Sequence, residues 1–418
     1  MTQKEIVLSG KGVFGGVKAG KLLTLFEKNG ACLADLKVEK GAVVFTDVTG
    51  PDVVYKIISQ DISGIIFFKG NQSSHAILLC KELGISTVIA EKHPTAEDGE
   101  LVTIDGVGGK LFRGDHAPKT EEKLPTVEEQ PHTETAIYGV AGLLKSMLKI
   151  EPVCDGIVPL RAKFLFISLG AHPLKIIGTH GREALVKHIS HTLIEGAKAY
   201  GNKPICYRTL DMPTNEMRCL DGGENEPVEL NPMIGWRGIR RGIDQPELLE
   251  AEYMGVKEAV DKGAKNIWVM YPMINDAKEY KKALDMMRAV GLKPHEDVKV
   301  GIMVEVPAAA VTVKDFAKLG CDFIQIGPHD LTQFTMALDR SNPLVAASFN
   351  EESNAVKRLI EIAVKDAIKC DVLPSICAEN FSFEMLEFCH KIGIKAMNSS
   401  VPLVPTLRAN IAKIEAKK

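Results

Sequence analysis

Arginine, carboxylate, thiol, amide and hydroxyl side chains recur directly after short apolar runs in the second part of the chain. They are Arg161, Arg208, Glu305, Asp330, Cys377, Asn398, Ser399 and Ser400, with Arg237 and Arg340 in neighbouring loops. Guanidinium groups pair bidentately with phosphate and with carboxylate, and Mg²⁺ prefers one or two carboxylates with water and substrate oxygens. The set indicates a site for a small anionic substrate and a divalent cation. A thiol there could transfer a proton or act as a nucleophile.

Each of these residues, taken singly, has a plainer interpretation. A lone arginine or glutamate after a strand is more often part of a surface ion pair, and a lone buried cysteine more often only packs. The joint occurrence of arginines, carboxylates and a thiol at the ends of five predicted strands favours the site.

Eight strand-like apolar runs, with helical segments between them, are expected to position these side chains. They span residues 136–140, 156–160, 205–209, 267–271, 300–304, 323–327, 372–376 and 394–397. Eight β-then-α units in roughly 280 residues are typical of a closed parallel (β/α)₈ barrel. An open doubly wound sheet is the alternative. In a barrel the carboxyl ends of the strands meet at one mouth, so the polar residues would converge there.

A segment rich in proline and glutamate, residues 116–135, is predicted to be an extended linker. It separates residues 1–115 from residues 136–418 and would let the two parts move relative to each other. The first part carries apolar runs at 42–46, 64–68, 87–90 and 101–104, which predict a small mixed α/β domain.

Composition excludes several classes of protein. The chain has 418 residues and a net charge of −3, so no basic excess favours nucleic acid or an anionic membrane as a partner. No apolar run approaches the ~20 residues of a membrane-spanning helix. The nine cysteines are scattered and odd in number, which predicts reduced thiols and a cytoplasmic protein.

His75 follows small polar residues at the predicted start of an amphipathic helix that ends at Gly84. The amides at a helix N-terminus stabilise an anion, and a phosphoryl group on the histidine would be one. The plainer alternative is a polar residue that caps the helix.

The segment from Gly70 to Ala90 resembles the swivelling phosphohistidine domain of the PEP-utilising enzymes, whose phosphorylated histidine falls on His75. The second part resembles the PEP/pyruvate domain of the same family. Its motifs match Arg161, Arg208–Asp211, Asn231–Arg237, Val304–Pro307, Gly327–Gln333, Asp339–Arg340 and Ile376–Glu379. Eight motifs in the family's order cover nearly the whole chain. The stretches at His172 and at 214–231 are most similar to phosphoenolpyruvate synthases.

The resemblance implies phosphoryl transfer between a phosphohistidine at position 75 and pyruvate or phosphoenolpyruvate. Substrate contacts are expected from Arg161, Arg208, Arg237, His329, Arg340 and Ser399, and metal binding from Glu305 and Asp330, with Mg²⁺ or alternatively Mn²⁺. Cys377 is expected to handle the proton at the methyl carbon of pyruvate. Nearby arginines and the metal are expected to lower its pKa toward neutrality. A homodimer through the barrel is also implied.

The chain departs from the family at several positions. His329 stands where the family has asparagine, beside the expected metal ligand Asp330, and Lys163 stands where it has glutamate. Asn71 and Ala378 each replace a glycine. The change at His329 puts the geometry of metal and phosphate in question.

The sequence also starts at the swivelling domain, without the ATP-grasp domain of phosphoenolpyruvate synthases. We therefore expect a separate ATP-grasp subunit as partner. Two alternatives stay open. One is a phosphotransferase similar to enzyme I, which passes the phosphoryl group to a carrier protein, and the other is an inactive regulatory subunit.

Overall fold

The computed structural model describes residues 4–26, 37–48, 51–69, 75–118, 124–340, 342, 344–379 and 381–417. They group into two compact units. The first comprises the described residues up to 118 together with 166–171, and the second comprises 124–165 and the described residues from 172 onward. Within the described ranges, no helix is both long and apolar enough to cross a membrane.

The first unit is a mixed sheet with two helices among its described residues. Its elements are β1 (Ile6–Ser9), β2 (Lys11–Phe14), β3 (Val17–Leu25), β4 (Val43–Thr46), α1 (Pro51–Ile58), β5 (Gly64–Phe68), α2 (His75–Glu82), β6 (Ser86–Ala90), β7 (Leu101–Asp105) and β8 (Lys110–Arg113). The sheet order is β1-β8-β7-β3-β4-β5-β6-β2, with parallel pairing from β3 to β6. The four predicted strands are β4 to β7, which confirms a small α/β domain.

The second unit is a closed parallel barrel. Its elements are β9 (Ala136–Ala141), α3 (Leu144–Ile150), β10 (Ile157–Arg161), α4 (Ala162–Ser168), α5 (Pro173–His180), α6 (Arg182–Tyr200), β11 (Ile205–Arg208), α7 (Thr214–Met217), α8 (Gly238–Asp244), α9 (Pro246–Asp261), β12 (Ile267–Tyr271), α10 (Ala277–Ala289), β13 (Lys299–Val304), α11 (Pro307–Val311), α12 (Val313–Ala317), β14 (Phe323–Ile326), α13 (Pro328–Met336), α14 (Asn354–Lys369), β15 (Leu373–Cys377), α15 (Phe383–Ile392), β16 (Ala396–Ser399) and α16 (Val404–Glu415). Strand β16 pairs with β9 and closes the ring. The predicted barrel is confirmed, and the open sheet is wrong.

Side chains that fill the barrel identify the inward face of each strand. They form one buried cluster of Tyr138, Val158, Cys206, Met270, Met303, Phe323 and Ala396. Because side chains alternate along a strand, the residues two positions further along also face inward. Arg208, Gln325 and Asn398 are such residues. The barrel interior is therefore polar toward the carboxyl ends of the strands, as expected at the catalytic end of this fold.

The predicted linker is attached to the barrel over its second half. Gln130 is buried and donates from Nε2 to the carbonyl of Val153 at 3.0 Å. Its Oε1 accepts from Nε of Arg408 at 3.1 Å. The Glu415 carboxylate accepts from the backbone amide of Thr135 at 2.9 Å. Residues 124–135 thus belong to the barrel unit, which leaves 116–123 outside it, of which 119–123 lie outside the described residues.

Candidate active site

Two of the predicted arginines are neighbours at the barrel mouth. Arg161 and Arg208 are the last residues of β10 and β11, and the parallel register pairs them directly. The Arg161 guanidinium lies 4.6 Å from the centroid of the Phe164 ring. Nη1 of Arg208 lies 3.3 Å from the Met303 sulfur, and its buried Nε has no hydrogen-bond partner. Two adjacent guanidinium groups at one barrel mouth suit the binding of an anion.

Arg237, also predicted, is held by a carboxylate that the prediction did not include. Its Nε and Nη2 donate to the two carboxylate oxygens of Asp211 at 2.8 and 2.7 Å. Burial alone would raise the pKa of Asp211, but the charges of Arg237 and then Arg208 hold it at about 2. Asp211 was visible in sequence as the last residue of the motif that begins at Arg208.

A buried ion network fixes the long loop that leads to Arg237. The Glu226 carboxylate accepts from Nη1 of Arg241 at 2.9 Å and lies 2.8 Å from Nε2 of His172. Glu229 accepts from the backbone amide of Trp236 at 2.9 Å. These bonds tie the loop to α5 and α8, so the Arg237 side chain is presented from a rigid support.

Of the predicted metal ligands, Glu305 directly follows β13, and Asp330 lies in the first turn of α13, which follows the neighbouring strand β14. Glu305 is buried, and its Oε1 accepts from the Met273 amide at 2.7 Å. Burial, and next the charges of Asp330 and Asp211, raise the pKa of Glu305 to about 8. A Cβ on Gly327 would lie 3.1 Å from Cβ of Glu305, so glycine permits the close approach of β14.

The carboxylate pair fits an oxygen-preferring cation. Oδ1 of Asp330 is buried without a hydrogen-bond partner, although Nη2 of Arg340 lies 3.4 Å away. The Asp330 charge also opposes ionisation of the Glu305 carboxylate. A divalent cation would provide a partner for the buried oxygen and would neutralise both carboxylates. Among the described residues no group of three or more histidine, cysteine or acidic side chains is arranged for a metal. Substrate and water oxygens would have to complete the coordination, as is usual for Mg²⁺.

Cys377 ends β15, and its register partner is Asn398 of β16. Protein atoms surround the sulfur on most sides. This desolvation, followed by the charges of Glu379 and Glu351, raises the pKa of the thiol to about 12, and Arg161 and Arg208 only partly oppose it. The expected lowering of this pKa by the arginines is therefore not found, because burial outweighs their charge. The thiol is therefore protonated at neutral pH.

The remaining predicted barrel residues have diverse surroundings. Nδ1 of His329 lies 2.8 Å from the Glu351 carboxylate, which raises the pKa of the imidazole against the opposing effect of burial. The backbone amide of Arg340 donates to Gln333 at 3.2 Å, and its buried Nη1 has no hydrogen-bond partner. The Ser399 hydroxyl is also buried without one. Strand alternation places Ser399 on the opposite face of β16 from Asn398.

The departure at Lys163 has a local explanation. Its ammonium group forms an ion pair with the carboxylate of Glu216, in the short helix α7 after β11. A glutamate at position 163 would instead repel that carboxylate. The pair thus attaches α4 to the same loop that carries Arg237.

His75 is the first residue of α2 in the first unit, at the helix start that the sequence predicted. Residues 70–74 and the side chain of His75 lie outside the described part of the structure. The contacts of the predicted phosphorylation site are therefore not described.

Comparison with known families agrees with both units. The model for the PEP-utilising enzyme mobile domain matches residues 38–109, and the model for the PEP-utilising enzyme PEP-binding domain matches residues 84–416. The chain belongs to the PEP-utilising enzymes. The small sheet domain with His75 at a helix start is thus the mobile domain of this family, and the barrel is its PEP-binding domain.

Individual relatives are similar over almost the whole chain. A protein named "Probable phosphoenolpyruvate synthase" from Pyrococcus abyssi is 38% identical over 427 residues, which cover 99% of this chain and 51% of the relative. The phosphoenolpyruvate synthase of Pyrococcus furiosus is 37% identical over 433 residues, covering 99% of this chain and 52% of the relative. The chain spans about half the length of the curated relatives that it matches.

Proposed function

We propose that this chain transfers a phosphoryl group between His75 and pyruvate or phosphoenolpyruvate, as the C-terminal part or a subunit of a phosphoenolpyruvate synthase. The observation that carries the proposal is the paired Arg161 and Arg208 at one barrel mouth with the buried Glu305 and the partly buried Asp330. This arrangement suits a small molecule with a phosphate and a carboxylate. The family membership of both units supports the same reaction.

The arginines bind and orient the substrate in this proposal. Arg161 and Arg208 offer donors to its two anionic ends, and Arg237, fixed by Asp211, adds a third cation at a defined position. Arg340 adds a further guanidinium, and the His329 imidazole, held by Glu351, also contacts the substrate in this proposal. Donors held in place before the reaction stabilise charge that develops on the enolate oxygen without a reorganisation cost.

The phosphoryl step forms a bond from phosphorus to a ring nitrogen of His75 as the bond from phosphorus to the enol oxygen breaks. The electron pair of that bond remains on the enolate. Cys377 then donates its proton to the methylene carbon, which yields pyruvate, and the thiolate regains a proton from water. A thiol with a pKa of about 12 is fully protonated at neutral pH and so available as the acid. The reverse sequence makes phosphoenolpyruvate.

Glu305 and Asp330 would hold a divalent cation, Mg²⁺ or alternatively Mn²⁺. When bound, the cation would supply positive charge to the oxygens of the enolate and of the transferred group. The buried Oδ1 of Asp330, which has no hydrogen-bond partner, and the raised pKa of Glu305 support this part of the proposal.

The partners are also part of the proposal. The relatives named phosphoenolpyruvate synthase are about twice as long as this chain, so an ATP-grasp domain or separate subunit would phosphorylate His75. The barrel would form a homodimer. The reaction would take place in the cytoplasm, where thiols such as that of Cys377 stay reduced.

Incubation of the full chain with radiolabelled phosphoenolpyruvate and Mg²⁺, without ATP, tests the proposal. We expect an acid-labile adduct of one phosphoryl group per chain in the wild type and none in His75→Ala. His116→Ala, which changes another histidine of the first unit, is the matched control and should label fully. Absence of labelling in the wild type would favour an inactive regulatory subunit. Onward transfer to a small carrier protein would favour the enzyme I-like alternative.

A further inference from the structure

Asn398 is a polar residue inside the barrel that the proposed mechanism does not use. It lies on β16, is 1% exposed, and pairs in register with Cys377 on one side and Tyr138 on the other. Tyr138 belongs to the buried cluster that fills the barrel. Residues paired across a parallel sheet point to the same face. Asn398 therefore faces the interior beside the proposed proton donor, at the usual strand separation of about 4.8 Å.

A short chain of hydrogen bonds orients the Asn398 amide. Gln325 of β14 donates from Nε2 to Oδ1 of Asn398. Oε1 of Gln325 lies 3.3 Å from Oγ of Ser375, and that hydroxyl donates to the carbonyl of Ile324 at 2.8 Å. Ser375 thus positions Gln325, and Gln325 holds the amide oxygen of Asn398. The amide nitrogen of Asn398 is left for another partner.

The amide nitrogen is unsatisfied within the protein. Nδ2 of Asn398 is buried and has no hydrogen-bond partner, although the same amide's oxygen is bonded. A buried donor without an acceptor is costly, and such groups in folded proteins call for an explanation at a functional site. Arg161 and Arg208 act on the pKa of Cys377, the register partner of Asn398. The unsatisfied donor therefore lies on the barrel side of the sheet, as does Arg208, one of the arginines that we propose to bind the substrate.

We propose that Nδ2 of Asn398 donates a hydrogen bond to an anionic oxygen of the three-carbon substrate, on the side of the carbon that Cys377 protonates. Gln325 is the positioning residue that fixes the amide. This inference rests on the proposed function, because it takes pyruvate and phosphoenolpyruvate as the ligands. It assigns to β16 a substrate-binding residue one position before Ser399, on the face of the strand that looks into the barrel.

Binding of phosphoenolpyruvate to the full chain in a His75→Ala background, by titration calorimetry with Mg²⁺ present, tests the inference without phosphoryl transfer. Asn398→Ala removes the donor and should weaken binding roughly 10-fold. Asn398→Asp keeps the shape but places a carboxylate oxygen toward the anion, so it should weaken binding by roughly 100-fold or more. Gln325→Ala should show a smaller loss than either, because the donor remains but is no longer oriented.

Asn266→Ala is the matched control. Asn266 is a buried asparagine just before β12, at the opposite end of the barrel, and it also has one side-chain atom without a partner, Oδ1. This variant should lose stability yet bind phosphoenolpyruvate within about twofold of the parent, a change well below one hydrogen bond. Equal binding by folded Asn398→Asp, Asn398→Ala and parent would overturn the inference.

The assay separates this inference from the proposed function. Binding of phosphoenolpyruvate by the His75→Ala parent, together with no labelling of the wild type, would contradict the proposed transfer. In that case the binding measurements would still test Asn398. A parent chain that does not bind it would overturn both. Should either variant fail to fold, judged by its melting curve, Asn398→Ser keeps a smaller polar group and should still show the weakened binding.

Discussion

The Arg237 guanidinium meets the Asp211 carboxylate through two parallel hydrogen bonds, with Nε 2.8 Å from Oδ1 and Nη2 2.7 Å from Oδ2. Asp211 also lies 3.8 Å from Nη2 of Arg208. One buried carboxylate thus fixes two cations of the anion site. Since the pair is almost fully buried, loss of either partner would leave an uncompensated buried charge.

Asp211→Asn should lower both stability and affinity. It leaves a buried guanidinium without its counter-charge, which costs on the order of 3 kcal/mol of unfolding free energy. Denaturant melts would measure this loss, and the KM for phosphoenolpyruvate should rise because Arg237 is no longer oriented. Asp244→Asn, which changes an exposed carboxylate that accepts from the indole of Trp236, is the control. A variant as stable as the wild type would contradict the structural role.

The ion pair of Asp211 and Arg237 predicts that the protein loses stability at low pH. The folded-state pKa of Asp211, about 2, lies below its ordinary value of 3.8, so ionised Asp211 stabilises the fold. The contribution, on the order of 2 kcal/mol, is present above about pH 4 and is lost as the pH falls through 2. Between pH 4 and pH 2, the difference in unfolding free energy between the wild type and Asp211→Asn should become smaller as the pH falls. A constant difference would exclude this source of acid sensitivity.

Glu305→Gln should stabilise the metal-free protein while it abolishes metal-dependent labelling. The folded-state pKa of Glu305 is raised to about 8, so stability from its protonated form is complete below about 4.5 and is lost as the pH rises through 8. With chelator present, the melting temperature of the wild type should fall from pH 6 to pH 9, and that of Glu305→Gln should fall less. Added Mg²⁺ should raise the melting temperature of the wild type only. Equal stabilisation of the variant by Mg²⁺ would remove Glu305 from the metal site.

Cys377 should react slowly with alkylating reagents near neutral pH, because only the thiolate is nucleophilic and the pKa is about 12. Cys219, which is exposed, provides an internal comparison. Mass spectrometry at pH 8 should find Cys219 modified well before Cys377. Preferential modification of Cys377 would show that its thiolate is stabilised and would favour a base over an acid.

His329→Asn restores the residue typical of the family and should change metal preference. The His329 imidazole is held through Nδ1 by Glu351, and imidazole suits Mn²⁺ and Co²⁺ better than Mg²⁺. The ratio of Mn²⁺- to Mg²⁺-supported labelling should therefore fall in the variant. An unchanged ratio would mean that His329 does not contribute to the choice of metal.

The sequence predicted the barrel well because buried parallel strands are continuous apolar runs. These runs recur along the sequence at the spacing of β-then-α units. It did not indicate β2 and β3 of the first unit, which are largely half-exposed and lack such runs. Proline and glutamate content predicted a linker over 116–135. It could not reveal that Gln130 and Thr135 pack against residues near the C-terminus.

Within the site, residues that follow strands were identifiable by type and position, but their environments were not. The high pKa of Cys377 results from burial, which no local pattern reports. Asp211 was missed as a site residue, although the motif contained it, because its role depends on a contact with Arg237 across the loop. Asn398 and Ser399 both follow the last predicted strand, and the substrate contact was expected from Ser399, because only the register of β16 shows that Asn398 faces the interior.

Isotope exchange between labelled pyruvate and phosphoenolpyruvate, without ATP or any partner protein, tests the central proposal most directly. The exchange requires His75 to take up the phosphoryl group and to return it at the barrel, with proton transfer at the methyl carbon in each direction. We predict Mg²⁺-dependent exchange by the full chain, its loss in His75→Ala and in Glu305→Gln, and a strong decrease in Cys377→Ala. Exchange that persists in His75→Ala, or that is absent from the correctly folded wild type, would contradict the proposal.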